Sequence, residues 1–277
     1  MSLSQRARAG GPAASVGVLA VSGRPYLDRC LDALRAQRDA PPFETVVVCD
    51  PSIGTLDGLA DRHPEARIVV NAGQRTPLEL ASRALRECRG STILLTKDHC
   101  VPAADWIHTM LGAQRDGRAA VGGRVEIASD ASAVDWAFHF VDFSPYAGRG
   151  TAGPAASLTI CNIAYRRADL AAVAASWAGG FVETRVHAAL CSRFGALWFH
   201  PGSEVVLARP VSLRHALAER YVLGRLFGAS RAQGWSRRRR LLYAGLAPAL
   251  PVLLLSRMAR VALPSRPHRR RFLRAVA

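Results

Sequence analysis

From Val16 the chain alternates short β-branched or apolar runs with stretches whose apolar positions recur every three or four residues. VGVLAVS (16–22) reads as a buried strand, and Pro25 then stands at a first-turn position of a helix whose apolar face is Leu27, Cys30, Leu31 and Leu34. FETVVVCD (43–50) predicts a second strand that ends in an acid. A short helix near 55–62, a strand at ARIVV (66–70) and a helix from Thr76 to Glu87 follow, and STILLT (91–96) predicts a fourth strand running into polar residues. Strands and helices joined this closely imply parallel pairing with right-handed crossovers, an α/β sheet wound on both faces. Further on, the pattern predicts a helix from about Asp105, strands at 119–128 and 157–167, and a helix at 182–194 with Val186, Leu190 and Phe194 inward. Residues 196–207 predict a hairpin or two short strands around Pro201 and Gly202.

In such a sheet ligands bind beyond the carboxyl ends of the strands. The residues at those ends are Ser22, Gly23 and Arg24; Asp50, Pro51 and Ser52; Asn71, Gly73, Gln74 and Arg75; and Lys97, Asp98 and His99. The competing reading of any one of them is local, with Asp50 or Thr76 capping a helix.

At 277 residues the chain is long enough for one large domain or two modest ones with a sizeable core. With 49% hydrophobic and 21% charged residues it is neither a disordered nor a fibrous chain. The net charge of +16 admits nucleic acid, an anionic membrane or a phosphate-bearing ligand as partner, and its distribution separates them. Residues 213–277 hold 15 arginines and one acid, Glu219, a charge of +14, which leaves +2 for residues 1–212. Lys97 is the only lysine, and in so alanine-rich a chain the arginine bias reflects coding composition. The six cysteines show no CxxC pair and no metal-ligand spacing, so they read as buried free thiols of a reducing compartment. No apolar run of signal-peptide length precedes Val16. Residues 1–13 are expected to be disordered and the bulk of the protein cytoplasmic.

Four stretches in this order resemble the family 2 glycosyltransferases, over roughly residues 14–210. SGRPYLDRCLDALRAQ (22–37) is similar to the family's first nucleotide-binding loop and helix, and VVVCDPS (46–52) to the segment whose acid reads the base. STILLTKDHCVPAADWI (91–107) resembles the strand, acidic metal-binding motif and following turn. CNIAYRR (161–167) with GGFVETRVHAAL (179–190) resembles the acceptor-side segment and the helix start that holds the general base. The resemblance implies a single Rossmann-like nucleotide-diphospho-sugar transferase (GT-A) domain with a mostly parallel central sheet, a nucleotide-diphospho-sugar donor and an inverting transfer. It further implies donor contacts from Ser22, Gly23, Asp50, Asn71, Arg75, Lys97 and Asp98, and acceptor-side positions at Asn162 and His187. A packed, partly buried histidine is the other reading of His187, and packing is the expected role of Trp106 and Trp198.

Two positions depart from the family's pattern. The acidic triplet becomes Lys97, Asp98 and His99, so a metal would rest on Asp98 and His99, and histidine suits Mn better than Mg. Two readings follow: a divalent cation held there, or Lys97 meeting the diphosphate as a point charge in its place. At the base position the family's Glu-Asp is Glu183-Thr184, which leaves Glu183 as the general base. A stabilising acid at a helix N-terminus is the alternative role for that residue.

The last segment, 211–277, reads as an Arg-rich helical tail. An amphipathic helix at 213–231 sets Leu217, Tyr221, Leu226 and Phe227 against Arg214, Arg220, Arg225 and Arg231. The uncharged run 241–255, interrupted by Pro248 and Pro251, falls short of the roughly 20 residues needed to span a bilayer. A re-entrant or interfacial segment on an anionic membrane surface is the expectation, a core helix with a solvated basic tail the alternative. Together these features predict a peripheral or monotopic glycosyltransferase of the cytoplasmic membrane face, acting on a lipid-linked or cell-surface glycan precursor. A catalytically impaired binding subunit is the second reading. Nucleic acid is not expected as a partner, because the tail's arginines surround aliphatic residues and not base-stacking aromatics.

Overall fold

The computed structural model describes residues 11–50, 57–71, 76–128, 130–148, 150–232 and 234–276. The chain divides into two units, Met1–Glu126 with Arg149–Arg209, and Ile127–Gly148 with Pro210–Ala277.

The first unit is built on β1 (Ala14–Ala20), α1 (Tyr26–Arg35), β2 (Phe43–Cys49), α2 (Leu59–Arg62), β3 (Ala66–Val70), α3 (Pro77–Glu87) and β4 (Thr92–Lys97). These are followed by β5 (Cys100–Pro102), α4 (Trp106–Ala113) and β6 (Ala120–Ile127). After α5 (Ala133–Phe143), which belongs to the second unit, come β7 (Gly153–Ala155), β8 (Ile163–Arg166), α6 (Arg167–Ala172), α7 (Glu183–Phe194) and β9 (Leu197–Leu207). Among the described residues the strands form one sheet in the order β3-β2-β1-β4-β8-β6-β9-β5, with β7 also on β9. The β3-β2-β1-β4 half is parallel, and β8 joins β4 antiparallel. β1 is buried along its whole length, as a continuous apolar run between two layers should be. The helix α3 starts with a capping box in which Thr76 and Glu79 satisfy each other's backbone amides, so Thr76 does cap a helix.

The α/β class and the parallel central strands are as the sequence pattern predicts. Four local expectations are corrected. Residues 196–207 form one strand, because β7 pairs with Leu197–Phe199 and β5 with Val205–Leu207, and Pro201 falls in the gap between these two short partners. The strand expected over 157–167 shrinks to Ile163–Arg166, since the preceding amides bond side chains: Leu158 to His187, Ile160 to Glu183 and Cys161 to Thr159. Phe194 ends α7 exposed and not inward. Pro25 caps α1 from outside, at the position before its first turn.

The second unit contains α5 with α8 (Leu213–Arg231), α9 (Arg237–Leu246), α10 (Leu250–Ala262) and α11 (Arg266–Val276). Its small core joins Trp136 and Phe140 of α5 to Ala262 and Phe272, with Met258 and Ala259 packed against them. Phe140 and Phe272 meet edge to face at 5.4 Å. On α8, Leu217 and Tyr221 are exposed, whereas the side chains of Leu226, Phe227 and Arg231 lie outside the described residues. Pro248 and Pro251 do not break the apolar run as expected. Each occupies the opening turn of a helical segment, where its missing N–H is not needed. The resulting 26-residue helix, Arg237–Ala262, is long and apolar enough to cross a membrane, and its apolar window is unburied.

Gly123 marks a tight approach to the Ser203 backbone oxygen: a Cβ there would also lie 2.6 Å from Ser203 Cβ and 2.8 Å from Asn162 Nδ2. Gly123→Ala is expected to cost about 1–3 kcal/mol, seen as a lower urea midpoint. Gly112→Ala, where a Cβ meets nothing within 4 Å, should leave the midpoint unchanged or raise it.

Candidate active site

β1 and β4 run parallel with Leu19 opposite Lys97, so the turn after one strand lies beside the turn after the other. Asp98, fully buried just past β4, uses this proximity. Its backbone N–H donates to Leu19 O at 3.0 Å. Its Oδ2 accepts the amides of Val21 (3.0 Å), Ser22 (2.6 Å) and Gly23 (2.9 Å). Gly23, at φ 74°, turns the chain so that three successive N–H groups converge on one oxygen. This brace aims Ser22 at His99, with Oγ and Nδ1 2.9 Å apart, and Asp98 Oδ1 is 3.3 Å from the same nitrogen. Arg209, just beyond β9, donates to Ser22 Oγ at 3.4 Å, and His99 O accepts the amide of Ala208 at 2.9 Å.

Glu183 opens α7 and accepts the amide of Ile160 on Oε1 at 2.5 Å. It keeps some exposure, but dense protein around the carboxylate pushes its pKa up, opposed by the Ile160 amide and by the charge of Lys97. Lys97 ends β4 partly exposed, and its charge also acts on Cys161. Thus the first loop, the β4–β5 turn and the start of α7 meet at one edge of the sheet. Asp50 and Asn71 are buried at the neighbouring strand ends, where the Asn71 amide donates to Cys49 O at 2.9 Å. Arg75 lies outside the described residues, as do Pro51, Ser52, Gly73 and Gln74.

The two acceptor-side candidates are engaged within the protein. Asn162 is fully buried: Oδ1 accepts Trp106 Nε1 (2.7 Å) and Ser203 Oγ (3.1 Å), while Nδ2 donates to Arg124 O (2.7 Å) and Ser203 O (3.2 Å). Trp106, fully buried, packs and bonds here, as expected. His187 is 1% exposed, its Nδ1 accepting the Leu158 amide at 3.4 Å and its Nε2 lying 2.8 Å from Tyr165 Oη. Nδ1 as acceptor places the proton on Nε2, which donates to Tyr165. Burial lowers its pKa to about 4, so the ring is neutral.

Sequence spacing did not disclose two features. Arg209 joins the site only because β9 ends beside the β4–β5 turn. Cys161 joins His99 and Cys100 through the pairing of β4 with β8 and the 2.9 Å bond from Thr96 Oγ1 to Cys161 O. One donor atom from each of His99, Cys100 and Cys161 lies within 4.8 Å of the other two. The proximity of the Cys100 thiol, helped by Lys97 and His99 against the effect of burial, lowers the Cys161 pKa. The same proximity and burial raise that of Cys100. Two clefts, one lined by His108, Trp198 and His200 and one by Leu31, Pro42 and Phe43, include none of these groups.

A Rossmann-like parallel half extended by antiparallel strands, with polar groups gathered where β1 and β4 end, is the architecture of the GT-A fold. The family model for glycosyl transferase family 2 matches residues 15–173, and the chain belongs to that family. Among solved structures it is similar to a mannosyltransferase from Pyrobaculum calidifontis in complex with GDP-Man and Mn2+, at 19% identity and TM-score 0.55, covering 96% of this chain and 85% of that one. It is also similar to residues 1–349 of S. aureus TarS in complex with UDP-GlcNAc, at 14% identity and TM-score 0.51, covering 72% of this chain and 56% of that one. No curated protein matches.

His187 generates a prediction about stability. Its folded pKa of about 4 lies below the ordinary 6.5, so the unfolded chain takes up the proton first as pH falls. Stability tied to the neutral ring is present above pH 6.5 and lost as pH falls toward 4, by up to about 3 kcal/mol. His187→Gln should flatten the fall in urea-unfolding free energy between pH 7 and pH 4.5. An unchanged slope would remove the assignment.

Proposed function

We propose that this protein transfers a sugar from a nucleotide-diphospho-sugar to an acceptor hydroxyl with inversion at the anomeric carbon, on a lipid-linked or cell-surface glycan precursor. The observation that carries the reading is the Glu183 carboxylate, held by the Ile160 amide within reach of the Lys97 charge. Glu183 takes the proton of the attacking hydroxyl, and the raised pKa makes it a stronger base than a solvated glutamate. As the nucleoside diphosphate leaves, Lys97 and Arg209 offset its developing charge from the strand edge. Ser22 and Gly23 form the wall along which the diphosphate lies. Asp50 and Asn71 serve base and ribose, with Arg75 as a further donor contact. The solved mannosyltransferase and TarS structures, which hold GDP-Man and UDP-GlcNAc, support a nucleotide-sugar donor without fixing which one.

The donor set bears on the metal. Asp98 Oδ1 and the His99 imidazole lie side by side, while Oδ2 is committed to three amides. One carboxylate oxygen with an imidazole fits Mn2+ and is a poor match for Mg2+, which demands oxygen ligands. A Mn2+ bound there would supply positive charge to the leaving diphosphate. The base, the loop brace and the Lys97 charge operate from the chain's own residues.

Glu183→Gln is expected to lower kcat about 100-fold or more while leaving donor affinity within a few-fold. Because the raised pKa moves deprotonation of the base upward, the acid limb of kcat should fall above the ordinary glutamate range near ~4.3. Retained turnover in the variant would defeat the assignment. Failure of the unaltered protein to release nucleotide from UDP-, GDP- and dTDP-sugars would replace transfer by a binding role.

The helix Arg237–Ala262, whose apolar window is unburied and which carries arginines near both ends, supports association with an anionic membrane at the cytoplasmic face, peripheral or monotopic. Trp235 and Tyr243 meet at 4.5 Å with their ring planes tilted by 45°, and Arg239 lies over the Trp235 ring, a combination suited to the headgroup level. Vesicles with anionic lipid should retain the protein in high salt through the apolar helix, and replacing Leu242, Leu246, Leu250 and Leu253 by Ser should release it. A chain that remains soluble in low and high salt without detergent is no membrane protein.

A further inference from the structure

Beyond the oxygen-and-imidazole pair, the β4–β5 turn holds donors of a different kind. Cys100 and Cys161 are 0% and 1% exposed, and the neighbouring His99 side chain keeps 16% exposure. The three donor atoms lie within 4.8 Å of one another. In a tetrahedral zinc site, with metal–ligand bonds of roughly 2.0–2.3 Å, donors stand roughly 3.3–3.8 Å apart. Closure therefore asks for movements of about an ångström or less from side chains that already converge.

We propose that His99, Cys100 and Cys161 form a site for a thiophilic divalent ion, Zn2+ or Cd2+, separate in chemistry from any Mn2+ used in sugar transfer. Two thiolates and an imidazole are soft and borderline donors, which select such ions over Mg2+ and Mn2+. Three protein ligands leave a fourth position for water. On binding, both sulfurs coordinate as thiolates, any proton they still carry passes to solvent, and the ion's two positive charges are balanced. His99 coordinates as a neutral ring. The partial exposure of His99 provides the way in, because both sulfurs are closed off from solvent. The amide of Cys161 bonds to Thr159 and its carbonyl to Thr96, and the His99 carbonyl accepts the Ala208 amide, so the backbones carrying the ligands are already fixed. Since His99 is the residue that would serve Mn2+, occupation by a thiophilic ion excludes that use. The ion-binding itself does not rest on the sugar-transfer reading.

The test uses the full chain, freed of metal and reduced, titrated with Cd2+ and read by the thiolate-to-cadmium charge-transfer absorption. Zn2+ then competes against a chromophoric chelator. One equivalent of Cd2+ should give the absorption of two thiolates, with Zn2+ displacing it and a thousandfold excess of Mn2+ or Mg2+ leaving it intact. Cys100→Ser and Cys161→Ser should each weaken binding at least about 100-fold, and His99→Ala about 10-fold or more. Cys88→Ser should bind as the unaltered protein does. If either serine variant loses its circular dichroism, His99→Ala, altered at a partly exposed side chain, decides the matter. Absorption that persists unweakened in His99→Ala or the cysteine variants, or no stoichiometric binding at all, overturns the proposal. Sugar transfer can fail while this binding holds, and the reverse, so the two readings separate.

Discussion

Asp98 accepts three consecutive backbone amides on one carboxylate oxygen, and the edge of the sheet where the chemistry gathers is arranged around that contact. A buried carboxylate is costly to desolvate, and amides that turn toward a common point are equally costly if left without an acceptor. Each solves the other's problem. The loop after β1 is thereby given a fixed path, which presents Ser22 to both His99 and Arg209. The same carboxylate thus cannot serve a metal with both oxygens, which is why the third residue of the motif would weigh so heavily in which ion the turn could hold.

A second set of bonds positions the opposite side. Residues 157–162 have too few strand partners to form a ladder, yet the amides of Leu158, Ile160 and Cys161 are satisfied by the side chains of His187, Glu183 and Thr159. Asn162 closes this segment onto Trp106, Ser203 and the Arg124 carbonyl with all its polar atoms inside the protein. The segment is held in place without being a strand, and it carries Cys161 and the partner of Glu183 to the place where β4 ends. Local order here comes from side-chain-to-backbone bonds, which is what a sheet margin needs when it must shape a site and not extend a ladder.

The sequence made the parallel half of the fold legible because each of its strands is a continuous apolar run and each helix has a periodic face. It made the edge residues legible because a rule about parallel sheets says where to look. What it hid depends on contacts between distant segments. A run such as SLTIC has the composition of a strand, and only the absence of a ladder partner, together with nearby side-chain acceptors, decides against one. Helix α5 escaped notice because its apolar face, Trp136 and Phe140, packs on Ala262 and Phe272, more than a hundred residues away. The His99, Cys100 and Cys161 group escaped a search for metal-ligand spacing for the same reason. Two prolines suggested a broken apolar run, although a proline at a helical first turn costs no hydrogen bond.

The charge of +16 is governed by the same distinction between composition and placement. Nearly all of it lies after residue 212, where acids to neutralise it are almost lacking. Several of those arginines lie over aromatic faces, Arg239 on Trp235 and Arg271 on Trp136. A cation over a ring keeps its full charge and its hydrogen-bond donors around the rim, so such contacts orient guanidinium groups without consuming them. The exposed Arg239 guanidinium therefore keeps its charge open to an anionic partner, whereas the strand edge relies on a few groups whose positions are fixed by buried bonds. Salt should weaken the former far more than the latter, because exposed charges are screened and the amide-braced loop is not.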